Sequence, residues 1–181
     1  DISGNPLEEL PDVISKLTEL KTLKLSRNKL SSIPDWIGKL KQLQILDVSG
    51  NQLAELPELL GKLTQLIELN LTSNKLTTLP KSIGRLTQLE ELIIRRNKFN
   101  LFPEGVLDLM RLQKLYMSNN ELVSLLDSID QLTQLKILEI SRNHLKALPE
   151  SLGKIPQLKE LYLSENQLLT LPKTIGQLTS L

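Results

Sequence analysis

At 181 residues, 40% hydrophobic and 24% charged, the chain is long enough to bury a core and too apolar to be disordered. Twenty-two basic side chains against 21 acidic ones leave a formal charge of +1, which supplies no global field for nucleic acid or an anionic membrane. The lack of cysteine removes disulfides, thiolate metal sites and cysteine nucleophiles, and leans toward a reducing compartment or a bacterial source.

No apolar run approaches the ~20 residues a membrane-spanning helix needs, so membrane insertion is not expected. The opening DISGNPLEEL has neither the basic start nor the apolar core of a signal peptide.

In chain order, the first complete pattern is LKTLKLSRNKL, from Leu20 to Leu30. Leu23 and Leu25 are two apart and point to one face of a short strand, while Thr22, Lys24 and Ser26 point to the other. Apolar residues at Leu30, Ile33, Ile37, Leu40 and Leu43 then follow a looser spacing that suits a helical or 3₁₀ return, and Pro34 stops any strand from continuing.

The pattern then repeats every 23 residues without insertion or deletion. One leucine column runs through Leu20, Leu43, Leu66, Leu89, Leu112, Leu135, Leu158 and Leu181, and a second through Leu23, Leu46, Leu69, Leu92, Leu115, Leu138 and Leu161. A third column is aliphatic or methionine: Ile2, Leu25, Val48, Leu71, Ile94, Met117, Ile140 and Leu163. A unit this short cannot bury its own apolar face, whereas stacked units share one continuous core. Successive strands must then run parallel, and the bulkier returns curve the stack with the strands inside.

Asparagine recurs at Asn5, Asn28, Asn51, Asn74, Asn97, Asn120, Asn143 and Asn166. The turn after each strand leaves backbone groups that no sheet ladder satisfies, and a side chain with both an acceptor and a donor can bridge them to the next coil. A residue needed only for a left-handed turn would be replaced by aspartate or glycine in some copies, and in these eight it never is.

LKTLKLSRNKL, LQILDVSGNQL, LIELNLTSNKL, LEELIIRRNKF, LQKLYMSNNEL, LKILEISRNHL and LKELYLSENQL resemble the leucine-rich repeat pattern LxxLxLxxNxL in register. The connecting LTTLPKSIGRL, Leu76 to Leu86, is similar to the 23-residue typical class of bacterial repeat proteins and intracellular Ras-pathway scaffolds. The resemblance implies an α/β repeat solenoid: a horseshoe with a parallel β-sheet on its concave face and short helical, 3₁₀ or extended returns on its convex face. It implies a single domain over 1–181 of about eight repeats, a monomer that binds a protein partner on the concave sheet, and no cofactor.

Two adjacent returns depart from the pattern. The proline column (Pro11, Pro34, Pro57, Pro80, Pro103, Pro149, Pro172) breaks at Leu126, and the glycine column (Gly38, Gly61, Gly84, Gly153, Gly176) breaks at Ser15, Leu107 and Asp130. Phe99 and Phe102 sit on core columns there, where two stacked rings would fill the space between coils.

The repeats differ mainly at outward strand positions. The columns read Thr22, Ile45, Glu68, Glu91, Lys114, Ile137, Glu160, then Lys24, Asp47, Asn70, Ile93, Tyr116, Glu139, Tyr162. A largely serine column is interrupted by Arg95, and the next runs Arg27, Gly50, Ser73, Arg96, Asn119, Arg142, Glu165. Tyrosine and arginine most often dominate binding energy. The candidate contact set is therefore Ile93, Arg95, Arg96, Tyr116, Asn119, Glu139, Arg142 and Tyr162.

A competing surface is a return column carrying Val13, Trp36 and Leu59 where later copies place Ser82, Gly105, Ser128, Ser151 and Thr174. Those polar residues suggest an exposed column and hence a convex apolar patch, although Trp36 folding over the edge of its own coil is the more ordinary reading. Lys21, Lys24, Arg27 and Lys29 form a basic cluster that suits solubility.

An enzymatic reading finds little support. His144 is the only histidine, and there is no serine-centred elbow or phosphate-cradling glycine loop. Glu68 and Glu91 are expected neighbours, but Lys114 follows them, so neither catalysis nor a metal site is expected. Asn70-Leu71-Thr72 is one glycosylation sequon that chance explains as well as secretion does. The chain begins inside a strand motif and stops at the first position of another, without polar capping units, as a fragment would. It fits either a stand-alone bacterial binding protein, on a cell surface or secreted, or the cytoplasmic recognition arm of a larger signalling protein whose GTPase, kinase or scaffold activity lies elsewhere.

Overall fold

The computed structural model describes residues 1–181. Seven strands form one parallel sheet in chain order: β1 (Thr22–Lys24), β2 (Ile45–Asp47), β3 (Glu68–Asn70), β4 (Glu91–Ile93), β5 (Lys114–Tyr116), β6 (Ile137–Glu139) and β7 (Glu160–Tyr162). The register is the 23-residue repeat itself: Leu23 faces Leu46, Leu46 faces Leu69, and so on to Leu138 and Leu161. Beyond each three-residue strand the inter-coil hydrogen bonds continue, Leu25 N–H donating to Asp47 O at 2.7 Å and Arg27 N–H to Ser49 O at 2.8 Å.

The returns are eight 3₁₀ helices: η1 (Asp12–Lys16), η2 (Asp35–Lys39), η3 (Glu58–Lys62), η4 (Lys81–Arg85), η5 (Glu104–Asp108), η6 (Ile129–Gln131), η7 (Glu150–Lys154) and η8 (Lys173–Gln177). Seven follow a proline in extended conformation, which ends the preceding segment and presets φ for the turn. The exception is η6, where Leu126 replaces proline: it is cut to three residues behind Ser128 at φ −96° and ψ 17°. The core is a single cluster from Leu10 to Leu178, with Phe99 and Phe102 both buried in it.

The asparagine column closes each coil onto the one before. In Asn28 through Asn166, Oδ1 accepts a backbone N–H of the preceding coil, such as Leu30 for Asn51 and Leu76 for Asn97, at 3.0–3.2 Å. Nδ2 donates to a carbonyl of that coil at 3.0–3.1 Å, and also to the carbonyl three residues back in its own. Asn5, on the first described coil, bonds only Ile2 and Ser3. The left-handed residue of each turn is the position before the asparagine: Arg27, Ser73, Arg96, Asn119, Arg142 and Glu165 have φ of 53–56°, and Gly4 and Gly50 do the same at 73° and 66°.

The glycine column marks where coils nearly touch. A Cβ on Gly61 would lie 2.5 Å from Ser82 Cβ and 2.6 Å from Ser82 O, and one on Gly38 would lie 2.7 Å from Leu59 O. Where Leu107 replaces glycine its side chain is buried. The lost glycine and the shortened η6 thus lie on adjacent coils.

The expectation that the Val13, Trp36, Leu59 column is exposed does not hold. Ser82 and Ser151 of that column are buried, Ser82 directly against Gly61 of the preceding coil. Val13, on the first coil, is exposed, whereas Trp36 packs on the core. The serine is polar because it has work there: Ser82 Oγ donates to Glu58 O at 2.7 Å, and Thr174 Oγ1 to Glu150 O at 2.6 Å.

The same glutamates cap the next return. Glu58 accepts the Lys81 and Ser82 N–H groups, both at 3.1 Å, and Glu150 accepts those of Lys173 and Thr174 at 3.1 and 3.0 Å. Ser82, by its hydroxyl and then its N–H, holds the Glu58 carboxyl below the usual carboxylate range, and the Thr174 and Lys173 N–H groups do the same for Glu150.

Asn97→Ala should cost about 1–3 kcal/mol in equilibrium urea unfolding, since it orphans buried backbone groups, while Asn5→Ala changes little. Gly61→Ala should also destabilise, by ~1–3 kcal/mol as overpacking does. Gly176→Ala, with nothing within 4 Å of its Cβ, should be neutral or stabilising. A carboxyl whose folded pKa is depressed stabilises in full above the unfolded carboxylate range, and that contribution disappears as pH falls through the depressed value. The thermal midpoint of Glu58→Gln/Glu150→Gln should therefore fall below wild type at neutral pH, and the gap should close in acid.

Candidate functional site

Strand register sets the outward columns side by side. Ile93 of β4 is in register with Tyr116 of β5, Tyr116 with Glu139 of β6, and Glu139 with Tyr162 of β7. Two residues on, the smaller Ser118, Ser141 and Ser164 form a floor, with Ser118 and Ser141 buried and Ser164 Oγ donating to Ser141 Oγ at 3.0 Å. The left-handed column Asn119, Arg142, Glu165 makes the opposite rim. Between the two rims is an open concavity of about 500 Å³.

Arg95 closes one end. It occupies the serine column, lies over the Tyr116 ring with 4.3 Å from guanidinium carbon to ring centroid, and reaches past β5 to an ion pair with Glu139. The guanidinium is held, although its Nε is buried without a partner. Arg142 pairs with Glu165 at 2.9 Å, and Tyr162 Oη donates to Glu160 at 2.7 Å. Burial, then the Glu91 charge, pushes the Tyr116 phenol up; the hydrogen bond to Glu160 does so for Tyr162. Both tyrosines stay neutral donors at neutral pH.

Six of the eight sequence candidates line the concavity: Arg95, Tyr116, Asn119, Glu139, Arg142 and Tyr162. Ile93 lies beside it, in register with Tyr116, and Arg96 is exposed outside it. Ile137, Glu160 and Glu165 line it too and were not among the candidates; stepping 23 residues from Lys114 and Arg142 would have found them. Glu68 and Glu91 are adjacent as expected, but Glu91 is engaged by Lys114 at 3.0 Å, a hydrogen bond that raises the lysine pKa. His144 is exposed and meets Gln167 at 3.3 Å. No three histidine, aspartate or glutamate side chains converge as metal ligands would.

A family model described as leucine-rich repeat region matches residues 5–115, and another described as leucine rich repeat matches 87–145, 110–168 and 133–181. The chain belongs to the leucine-rich repeat family. A leucine-rich repeat protein of Leptospira interrogans superposes with a TM-score of 0.96 at 39% identity, over 100% of this chain and 46% of its own. The ectodomain of the Arabidopsis thaliana membrane receptor kinase GASSHO1/SCHENGEN3, solved in complex with Casparian strip integrity factor 2, gives 0.83 at 32% identity, over 97% and 22%. The plant peptide hormone receptor RGFR1, in complex with RGF2, gives 0.76 at 30% identity, over 99% and 33%. This leucine-rich repeat chain thus spans less than half the length of each. No curated protein matches it significantly. The fold is commonly a protein-binding scaffold and typically a non-enzymatic one. No helix is long and apolar enough to cross a membrane.

Proposed function

We propose that this leucine-rich repeat chain is a protein-interaction module, without catalysis of its own, that binds a protein segment across the concave face of β4 to β7. The observation that carries this reading is the convergence of both tyrosines and two arginines on one concavity, on a sheet whose remaining columns are nearly uniform. Tyrosine offers a large rigid contact and a directional hydroxyl, so it contributes binding energy at low entropic cost. The serine floor and the asparagine rim add hydrogen-bonding groups along the same path.

The peptide-bound plant receptors support the reading by analogy, since both share the family and most of the fold over this length. Ile93 and Arg96 would contact the part of a partner that extends beyond the concavity toward β4. The convex face offers less: its one strongly exposed apolar residue in the competing column, Val13, stands alone.

Peptides selected from a displayed random library on the immobilised chain should lose at least about tenfold in affinity, the ~1.4 kcal/mol of one modest hot spot, on Tyr116→Ala/Tyr162→Ala with unchanged circular dichroism. They should bind Val13→Ser normally. Selected binders that ignore the tyrosine pair and lose affinity on Val13→Ser would place the contact surface on the convex side instead.

A further inference from the structure

Arg95 and Tyr116 display, within the chain, a contact that the next strand pair leaves half-built. Ser141 stands two repeats after Arg95, and Tyr162 two repeats after Tyr116, so the regular register gives Ser141 and Tyr162 the same relative backbone placement. On Tyr116 the ring face is covered by the Arg95 guanidinium. Above Ser141 there is only a hydroxyl, and Tyr162 is half-exposed with its phenol tied to Glu160.

The charges differ in the same direction. On Tyr116's strand the neighbouring outward residue is Lys114, a cation already paired with Glu91. On Tyr162's strand it is Glu160, which no cation engages. Three carboxylates line the concavity, Glu139, Glu160 and Glu165, against two guanidiniums, Arg95 and Arg142, which are spent on Glu139 and Glu165. Glu160 is left over. An aromatic face, an uncompensated carboxylate and serine hydroxyl acceptors therefore bound one open end of the concavity.

We infer that the Tyr162 end of the concavity takes an arginine side chain of the protein partner, its guanidinium stacked on the Tyr162 ring above Ser141 and hydrogen-bonded to Glu160. The inference rests on the reading of the concave face as a protein-binding surface and names the residue that this surface selects. Arginine is favoured over lysine because a planar, weakly hydrated guanidinium can stack and donate in its plane at once, whereas an ammonium is a compact, strongly hydrated point charge. The serine column leaves the space that the Arg95 side chain fills two repeats earlier.

The test uses the whole chain and N-acetyl-arginine amide as the probe, followed by backbone amide NMR, with the lysine and norleucine analogues alongside. Saturable shifts at Ser141, Glu160 and Tyr162 are expected with the arginine amide, weaker with lysine and absent with norleucine. Tyr162→Ala should weaken binding roughly two- to fivefold, the equivalent of a cation–π contact at an exposed ring. Ser141→Arg, which supplies the guanidinium internally, should abolish the response while leaving the fold's amide pattern intact. Shifts that survive Ser141→Arg, equal shifts with all three amides, or no saturable shift would overturn the inference. Should the displayed peptides still bind through Tyr116 and Tyr162 in that case, the concave face would remain the binding surface with a different preference; should they not, both readings fall.

Discussion

One short side chain with an acceptor at one corner and a donor at the other holds this molecule in register. Each asparagine from Asn28 onward takes a backbone N–H from the coil before and returns its own two hydrogens to carbonyls of both coils. Aspartate has no donor, and glutamine would place both groups a methylene too far out, so the geometry admits asparagine alone. Because a coil is closed by its neighbour rather than by itself, every coil must have the same length at that point. The strict 23-residue spacing follows from this, and so does the one-to-one register of strands only three residues long.

The same constraint divides the chain into positions that are committed and positions that are free. Apolar columns, the asparagine and the residue before it are fixed by burial, hydrogen bonding or a positive φ. Arg96 and Arg142 adopt φ of 53° and 56°, which costs roughly 1 kcal/mol for a residue other than glycine or asparagine, so the ladder bond must outweigh it. Position 119, where Asn occurs, meets that demand more cheaply. The outward positions on the strands carry no such obligation, and there the chemistry diverges from copy to copy.

Legibility in the sequence followed the same division. Columns at a spacing of 23 were readable because the register is that spacing, and from them came the parallel sheet, the core, the asparagine ladder and most of the concave set. Contacts that run diagonally were not readable. Arg95 meets Glu139, which lies 44 positions away and beyond the intervening strand, because a guanidinium on a small-residue column can lie across its neighbour. Glu58 caps residues 23 and 24 positions on, and Gly38, Gly61 and Gly153 touch residues 21 positions on. The polar character of Ser82 and Ser151 was misleading for this reason: each is polar and buried, Ser82 with its hydroxyl turned to the carbonyl of Glu58.

The proposed binding face, made of free positions on a rigid sheet, has a thermodynamic advantage that a loop lacks. Arg95 is pinned between Tyr116 and Glu139, so the rotamer entropy of a long side chain, up to ~2 kcal/mol, is already lost before any partner arrives. Tyr162 is similarly oriented by Glu160, and Arg142 by Glu165. The pairs at the exposed rim contribute little to folding, since solvent screens them, and their worth lies in presenting fixed shapes and fixed charges. If this face binds as proposed, substitutions on it should change recognition with little change in stability, whereas substitutions one residue away, on Leu115, Leu138 or the asparagines, should do the reverse. Selection can act on the two separately, which is why one scaffold repeated eight times can carry a surface found only in its fourth to seventh strands.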